Sequence, residues 1–566
     1  MKTYPTERVR NVALMGHSGS GKTSLTEAML FDTGAITRMG RVEDGNTVSD
    51  FDPEEKRRHI SINLTTIPVE WEGYKLNIID TPGYLDFQGD VFSASLAADA
   101  VLLVVDAVSG VEVGAELAWQ VAVDGKLPRM VFINKMDREN ANADRVLASL
   151  SETFGANFVP VQVPIGSESS FRGVVDLFSK QAFVGPEGKR EAAPANLASA
   201  VQAALTRLTE AAAEGDDDLI MKYLEGEELT PEEIQRGLSV GVRKGDVVPV
   251  FFGSATHNLG IQALMSGLAA VVPPFTASAG VAARDPKGEE ITLHPTADGP
   301  LALFVFKTVA DPFVGKLTYF RVMSGELAGE TRLFNPRANI EERLGQIYVL
   351  RGKEQITVER LALGDIGAVA KLTETITGDT LCAREAQVTI KPPSYPNPLY
   401  EVAITPKTQQ DAAKMGTALT RLVEQDPTLR WRYESATRQT ILSGMGDTHI
   451  EVAVRNLEAK FGVNVDVSVP KVPYRETVTR SAADQYRHKK QTGGAGQFAE
   501  VHMEIKPLER GGGFEYDTSR VFGGVIASSF FPSIEKGIRS VMEQGVIAGY
   551  PVVDVRCEVY DGKMHP

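Results

Sequence analysis

Gly16-His17-Ser18-Gly19-Ser20-Gly21-Lys22-Thr23 fits the pattern G-x-x-x-x-G-K-S/T, and the rest of the chain is read outward from it. Val9 to Met15 before it is a mostly apolar run suited to a strand, and Ser24 to Phe31 after it opens a helix. Small residues let the backbone wrap tightly, so that its N–H groups converge on phosphate oxygens. The following helix adds the positive end of its dipole. Gly16, His17, Ser18, Gly19, Ser20, Gly21 and Ser24 are therefore expected to line a phosphate site. Lys22 is then a point charge for the β- and γ-phosphates, and Thr23 offers a hydroxyl to Mg2+.

Further apolar runs recur at Leu76–Ile79, Val101–Val105, Met130–Ile133 and Val247–Phe251, with helical stretches between them. Runs apolar throughout suit a parallel sheet covered on both faces, which binds its ligand at the C-terminal strand ends. The other polar motifs stand at those ends. Asp80-Thr81-Pro82-Gly83 follows the Leu76–Ile79 run; its aspartate can hold magnesium and the Gly83 N–H can approach a γ-phosphate. Asn134-Lys135-Met136-Asp137 follows the Met130–Ile133 run. Guanine presents N1–H and N2–H side by side, which one carboxylate accepts together, so Asp137 selects against adenine. Asn134 can tie neighbouring loops, and the Lys135 stem can cover the base. Gly253-Ser254-Ala255 can offer a backbone N–H to the guanine O6, which adds Ser254 and Ala255 to the site. This order of motifs predicts a GTP-binding domain over residues 1–278. The long gap between Asp137 and Ser254 predicts an inserted subdomain at about 156–246.

At 566 residues the chain is expected to form several domains. No apolar run approaches the roughly 18 residues needed to span a bilayer, and the Val12–Met15 run is too short for a signal-peptide core. Cys382 and Cys557 lie far apart, which fits a reduced, cytoplasmic compartment, and no zinc site is expected from the histidines. The net charge of −15 argues against wholesale nucleic-acid binding. The charge is uneven, with 16 acids against 9 bases between Leu150 and Val250 but 21 against 21 from Tyr395 onward. Any nucleic-acid contact is therefore expected from local patches in the C-terminal third.

Ala279–Gly299 reads as a linker rich in Gly, Pro and charge. Short alternating runs at Leu301–Val309, Leu317–Val322 and Ile366–Leu372 then predict a small β-barrel within 279–394. Residues 395–473 follow a β-α-β-β-α-β order that matches a ferredoxin-like unit, and a partial α+β domain occupies 474–566. The fold class expected is multidomain α/β.

These residues in this order resemble the elongation factor G family, translational GTPases that move tRNA and mRNA on the ribosome. Further strings carry the likeness: Asp311-Pro312-Phe313-Val314-Gly315-Lys316-Leu317, Ser443-Gly444-Met445-Gly446-Asp447-Thr448-His449, Gln491-Thr492-Gly493-Gly494-Ala495-Gly496-Gln497 and Gly549-Tyr550-Pro551-Val552-Val553-Asp554. The resemblance implies GTP and Mg2+ as ligands, a monomer, no membrane, and the ribosome, both rRNA and ribosomal proteins, as partner. It also implies a last domain whose tip holds the Gly493-Gly494 loop and a turn with His565, flanked by Lys489 and Lys490 as RNA-phosphate contacts. The family continues past this point with a final domain that is absent here.

Three substitutions depart from the family. Tyr84 stands where the family has the histidine that orients the attacking water. Arg58-His59-Ile60-Ser61-Ile62 matches R-G-I-T-I with Ser61 in place of the metal-binding threonine, and Gly19 replaces an aspartate. Tyr84 and Lys22 are the expected catalytic groups, and because a phenol, unlike an imidazole, cannot become a cation near neutrality, Tyr84 implies slow hydrolysis. The alternative reading is a GTP-loaded ribosome-binding factor for protection, rescue or recycling, without translocase activity.

Overall fold

The computed structural model describes residues 2–311, 315–491 and 496–565. The apolar runs become strands of one sheet. In chain order the first elements are β1 (Val9–Met15), α1 (Lys22–Asp32), α2 (Pro53–Arg58), β2 (Thr65–Trp71), β3 (Tyr74–Asp80), α3 (Gln88–Ala97), β4 (Ala100–Asp106), α4 (Val113–Asp124), β5 (Arg129–Asn134) and α5 (Ala143–Phe154). Two later strands, β6 (Phe158–Pro160) and β11 (Val248–Phe252), complete the sheet. Its order is β2-β3-β1-β4-β5-β11-β6, and only β2 is antiparallel to its neighbour. Alternation explains the unbroken apolar runs. On β1, Ala13 and Met15 join the cluster that contains Ala94 of α3 and Trp119 of α4, while Val12 and Leu14 join the one with Leu25 and Met29 of α1. Both faces are covered, so every residue of β1 is buried.

The inserted region starts with β6, which pairs with β11 and so extends the main sheet rather than leaving it. A separate antiparallel sheet follows, built from β7 (Gln162–Ile165), β8 (Gly173–Asp176), β9 (Gln181–Val184) and β10 (Lys189–Ala192). Helices α6 (Ala198–Glu214), α7 (Asp217–Leu224) and α8 (Pro231–Lys244) lead back to β11, and α9 (Ile261–Val271) follows it.

The stretch 279–299 is not the plain linker expected. Val281–Arg284 and Glu290–Leu293 form an antiparallel hairpin, and Ala283 and Arg284 also pair with Ile390 and Thr389. Asp285 turns the hairpin by accepting from the N–H groups of Lys287 and Glu289. Polar composition marked the turn and hid the flanking strands. The all-β region beyond it is one eight-stranded sheet in which Ala302–Asp311 and Gly315–Ser324 are central. The string Asp311–Leu317 crosses residues 312–314, which lie outside the described residues.

A buried polar network joins this all-β region to the first domain. Lys75 on β3 donates to both Asp365 oxygens at 2.7 and 2.8 Å, and Asn77 adds a bond at 2.9 Å. Arg321 pairs with Asp99 and lies over the Phe275 ring, while Asn11 on β1 donates to the Gly364 carbonyl. Next, α10 (Gln409–Gln425) and α11 (Asp447–Phe461) alternate with strands Tyr400–Pro406, Arg430–Glu434, Gln439–Gly444 and Val465–Ser468 in the β-α-β-β-α-β sequence expected.

The chain divides into two compact units. One comprises Met1–Glu401, Pro406–Trp431 and Leu442–Asp466; the other comprises Val402–Thr405, Arg432–Ile441 and Val467–Pro566. In the second unit, strands Ala482–Lys490, Gln497–Pro507, Val555–Met564 and Phe514–Asp517 pair in that order, with helix Phe531–Gln544 between the last two in sequence. The multidomain α/β class expected from the sequence therefore holds.

Candidate functional site

The phosphate loop connects β1 to α1, and two of its glycines are required by geometry. Gly16 has φ +144° and a Cβ there would sit 2.5 Å from the Val104 carbonyl; at Gly21, φ +99°, it would sit 2.2 Å from Asn134 Nδ2. Lys22 is buried and donates to the Gly16 and His17 carbonyls at 3.0 and 2.9 Å. Burial lowers its ammonium to about 8, although the Asp80 and Asp50 carboxylates pull the other way. A polyphosphate would raise it again by supplying anionic neighbours. Ser18, Lys22 and Thr23 line one open groove together with Ser61, Gly83, Asn134 and Lys135. The groove thus draws on the phosphate loop, the 33–63 segment and the loops after β3 and β5.

Oxygen donors gather at the phosphate end. Thr23 Oγ1 lies 3.0 Å from Ser61 Oγ, and Asp80 Oδ2 accepts from Ser49 at 2.6 Å. Asp80 Oδ1 and both oxygens of Asp50 are buried without a hydrogen-bond partner. Two hydroxyls and unsatisfied carboxylate oxygens are the hard donor set that Mg2+ takes, so the residues present fit that ion. Burial pushes the Asp80 carboxyl up, opposed by Ser49 and the Lys22 charge. Asp50 rises to about 8, from burial first and then from the charges of Glu55 and Asp80. Sequence reasoning passed over Asp50. It also passed over Glu27, which accepts from the Gly40 and Val48 N–H groups, and Glu55, which accepts from Asp52, Ile62 and Asn63. Glu27 thus ties the 33–63 segment to α1, and Glu55 closes that segment on itself.

At the other end, Asn134 is buried and ties three segments. Its Nδ2 donates to Ser20 O at 2.9 Å, and its Oδ1 accepts from Lys135 N and from Ala255 N at 2.8 and 2.9 Å. The N–H groups of Gly253, Ser254 and Ala255 are all engaged, by Ile133 O, Leu259 O and Asn134 respectively. Ala255 therefore holds Asn134 instead of offering its N–H to a base, and Thr256 is the residue of that loop on the groove. Lys135, with φ +63°, reaches Gly19 O at 2.7 Å and Asp106 Oδ2 at 2.6 Å. Asp106 ends β4 as Asp80 ends β3, so the strand-end rule could have found it. Asp137 Oδ2 lies 3.1 Å from His257 Nδ1.

Tyr84 is 41% exposed and caps the turn Leu85–Phe87. It lines a small hollow with Gly16, Gly83 and Gly114, beside the phosphate loop. Next to it, Asp86 accepts from the His449 N–H at 3.1 Å at the start of α11, and Gly446 leaves no room for a Cβ, which would lie 2.4 Å from Asp86 Oδ2. The same helix also meets the 33–63 segment: Glu451 pairs with Arg58 at 2.8 Å and Lys460 with Asp52 at 3.7 Å.

The residues expected to contact RNA are in the second unit. Arg487 pairs with Glu500, and His488 lies 3.2 Å from Gln497. Lys489 and Lys490 are exposed and make no ion pair among the described residues. Register places Lys490 opposite Gln497 and Met564 opposite Ala499, so His565 follows a strand that ends beside this hairpin end. Gly493 and Gly494 lie outside the described residues.

Comparison with known proteins gives four family matches in chain order. Residues 7–274 match the elongation factor Tu GTP binding domain, and residues 300–384 match elongation factor G domain 2. Residues 395–469 match elongation factor G domain III, and residues 470–566 match domain IV. A crystal structure of a protein from Thermus thermophilus is similar over 99% of this chain and 81% of its own, at 35% identity and a TM-score of 0.86. Among the described residues, no helix is long and apolar enough to cross a membrane.

Proposed function

The chain belongs to the elongation factor G family, and from that premise we propose that it is a ribosome-stimulated GTPase acting in translocation or a related step. The observation that carries this is the meeting of Lys22, Thr23, Ser61 and Asn134 on one groove, with α11 against both Asp86 and Arg58. Lys22 leaves the loop carbonyls for the β- and γ-phosphates, where its charge offsets that of the transferring group. Thr23, Ser61 and Asp80 hold Mg2+, which when bound neutralises phosphate charge. Asp137 and Lys135 hold the guanine base. The segment from about Arg41 to Asn63 orders around the γ-phosphate and releases after its loss. Compartment and assembly follow the same reading: a cytoplasmic monomer whose partner is the ribosome, reached through Lys489 and Lys490.

Tyr84 sets the expected rate. It can donate one neutral hydrogen bond to the attacking water but cannot carry positive charge, and loss of one stabilising donor costs about 10²–10³ in rate. The test is single-turnover GTP hydrolysis with and without ribosomes, beside a translocation readout. Tyr84→His is expected to raise ribosome-stimulated turnover; an unchanged rate refutes the catalytic role. Tyr84, a neutral phenol in place of an imidazole, favours one second reading, a GTP-loaded factor that occupies the ribosome without translocating it. Full ribosome binding with no translocation in the same assay selects that reading.

A further inference from the structure

At the base end of the groove, the residue read as selecting guanine is already in use. Asp137 Oδ2 lies 3.1 Å from His257 Nδ1, and Asp137 Oδ1 is sealed from solvent with no hydrogen-bond partner. Asn134, Lys135, Arg138 and Thr256 line the groove around it, yet Asp137 is not among the described residues that do. Guanine needs both carboxylate oxygens, one for N1–H and one for N2–H. One oxygen is taken by an imidazole and the other is covered.

We propose that His257 is an intramolecular competitor of the guanine base for Asp137, weakening guanine-nucleotide binding. The proposal rests on the reading of Asp137 as the guanine-selecting carboxylate. His257 is suited to leave, because its side chain is 63% exposed and its turning out uncovers little. Its remaining contacts are weak: Ser254 Oγ at 3.3 Å and Thr256 Oγ1 at 3.4 Å, both to the same Nδ1. The contact sets the ring nitrogen against the oxygen that a guanine N–H would need, so the base has to displace the ring. Lys135 is held by Asp106 and the Gly19 carbonyl, so it does not take the place of His257 on Asp137.

Calorimetric GDP affinity tests this, on the wild type, His257→Ala and His257→Gln, with ADP as the control nucleotide. His257→Ala is expected to bind GDP about two- to tenfold more tightly than wild type, the worth of one polar contact. His257→Gln can keep a polar group beside Asp137, so it should bind more weakly than His257→Ala. Weaker or unchanged GDP binding by His257→Ala overturns the proposal. A wild type that holds ADP as firmly as GDP instead refutes the guanine reading itself, a distinct result.

Discussion

Asp50→Asn should stabilise the nucleotide-free protein at alkaline pH and weaken it as a receptor for magnesium and nucleotide. Asp50 is 4% exposed and neither of its oxygens has a hydrogen-bond partner. In the unfolded chain its carboxyl ionises near 3.8, whereas in the fold it is pushed up to about 8. Between those values the unfolded chain has lost a proton that the folded chain keeps. Stability is therefore full below the unfolded value and falls as pH rises through the window from about 4 to about 8. At about 1.4 kcal/mol per unit, the whole window has an upper bound of about 6 kcal/mol. Glu55, also raised, to about 7, loses its proton over the same range, and water entering the open groove screens the charges. An observable gain of about 2–3 kcal/mol is the reasonable expectation. The assay is thermal or urea unfolding without nucleotide or magnesium. Asp50→Asn should match wild type near pH 4 and exceed it near pH 8. With magnesium and GTP present the order should reverse, because the variant lacks a carboxylate oxygen for the ion. Equal or lower stability of the variant at the higher pH refutes the reasoning.

Three further outcomes rest on named residues. Lys75→Met leaves the buried Asp365 carboxylate without its cation and should cost about 3–5 kcal/mol; adding Asp365→Asn should recover most of that in a double-mutant cycle of thermal unfolding. Gly446→Ala places a methyl 2.4 Å from Asp86 Oδ2 at a backbone φ of −162° that any residue adopts, so it should separate Asp86 from α11 without strain. Faster amide exchange at His449, with the fold intact by circular dichroism, is the check. Lys489→Ala with Lys490→Ala should flatten the dependence of ribosome affinity on salt, by about one unit of slope for each phosphate that is no longer neutralised; an unchanged slope removes that patch from the interface.

Much of the site was legible because it obeys one rule, that polar residues ending apolar strands face the ligand. Asp80 and Asn134 were found that way, and Asp106 answers to the same rule. Other residues left no such mark. Glu27, Asp50 and Glu55 act through the folding-back of the 33–63 segment, and their burial comes from tertiary contacts that no local spacing encodes. Ala255 was assigned a donor role from its position in a motif, but its N–H is consumed by Asn134, a pairing visible only in three dimensions. In the fold, the hairpin Val281–Leu293 was concealed because its strands are short and largely exposed, so no apolar alternation announces them.

The distribution of strong and weak contacts says where a change at the phosphate site can go. Lys75 and Asn77 stand five and three residues before Asp80 on β3, and Asn11 stands five before Gly16 on β1. Through them the strands that carry the site are fastened to Asp365 and Gly364 by buried bonds, at side-chain exposures of 2% and 5% for Lys75 and Asp365. Breaking one such pair leaves a charge in the interior, at about 3–5 kcal/mol. On the other side, the 52–58 segment meets α11 through Arg58 and Glu451, 14% and 52% exposed, beside a small buried cluster of Ile62, Phe87 and Val452. Exposed pairs of that kind are worth about 0–1 kcal/mol. A displacement that starts at the γ-phosphate therefore breaks the α11 pairs long before it disturbs the junction beneath β1 and β3. The strands and the all-β region should move as one body, and α11 is the element whose surroundings change with the bound nucleotide.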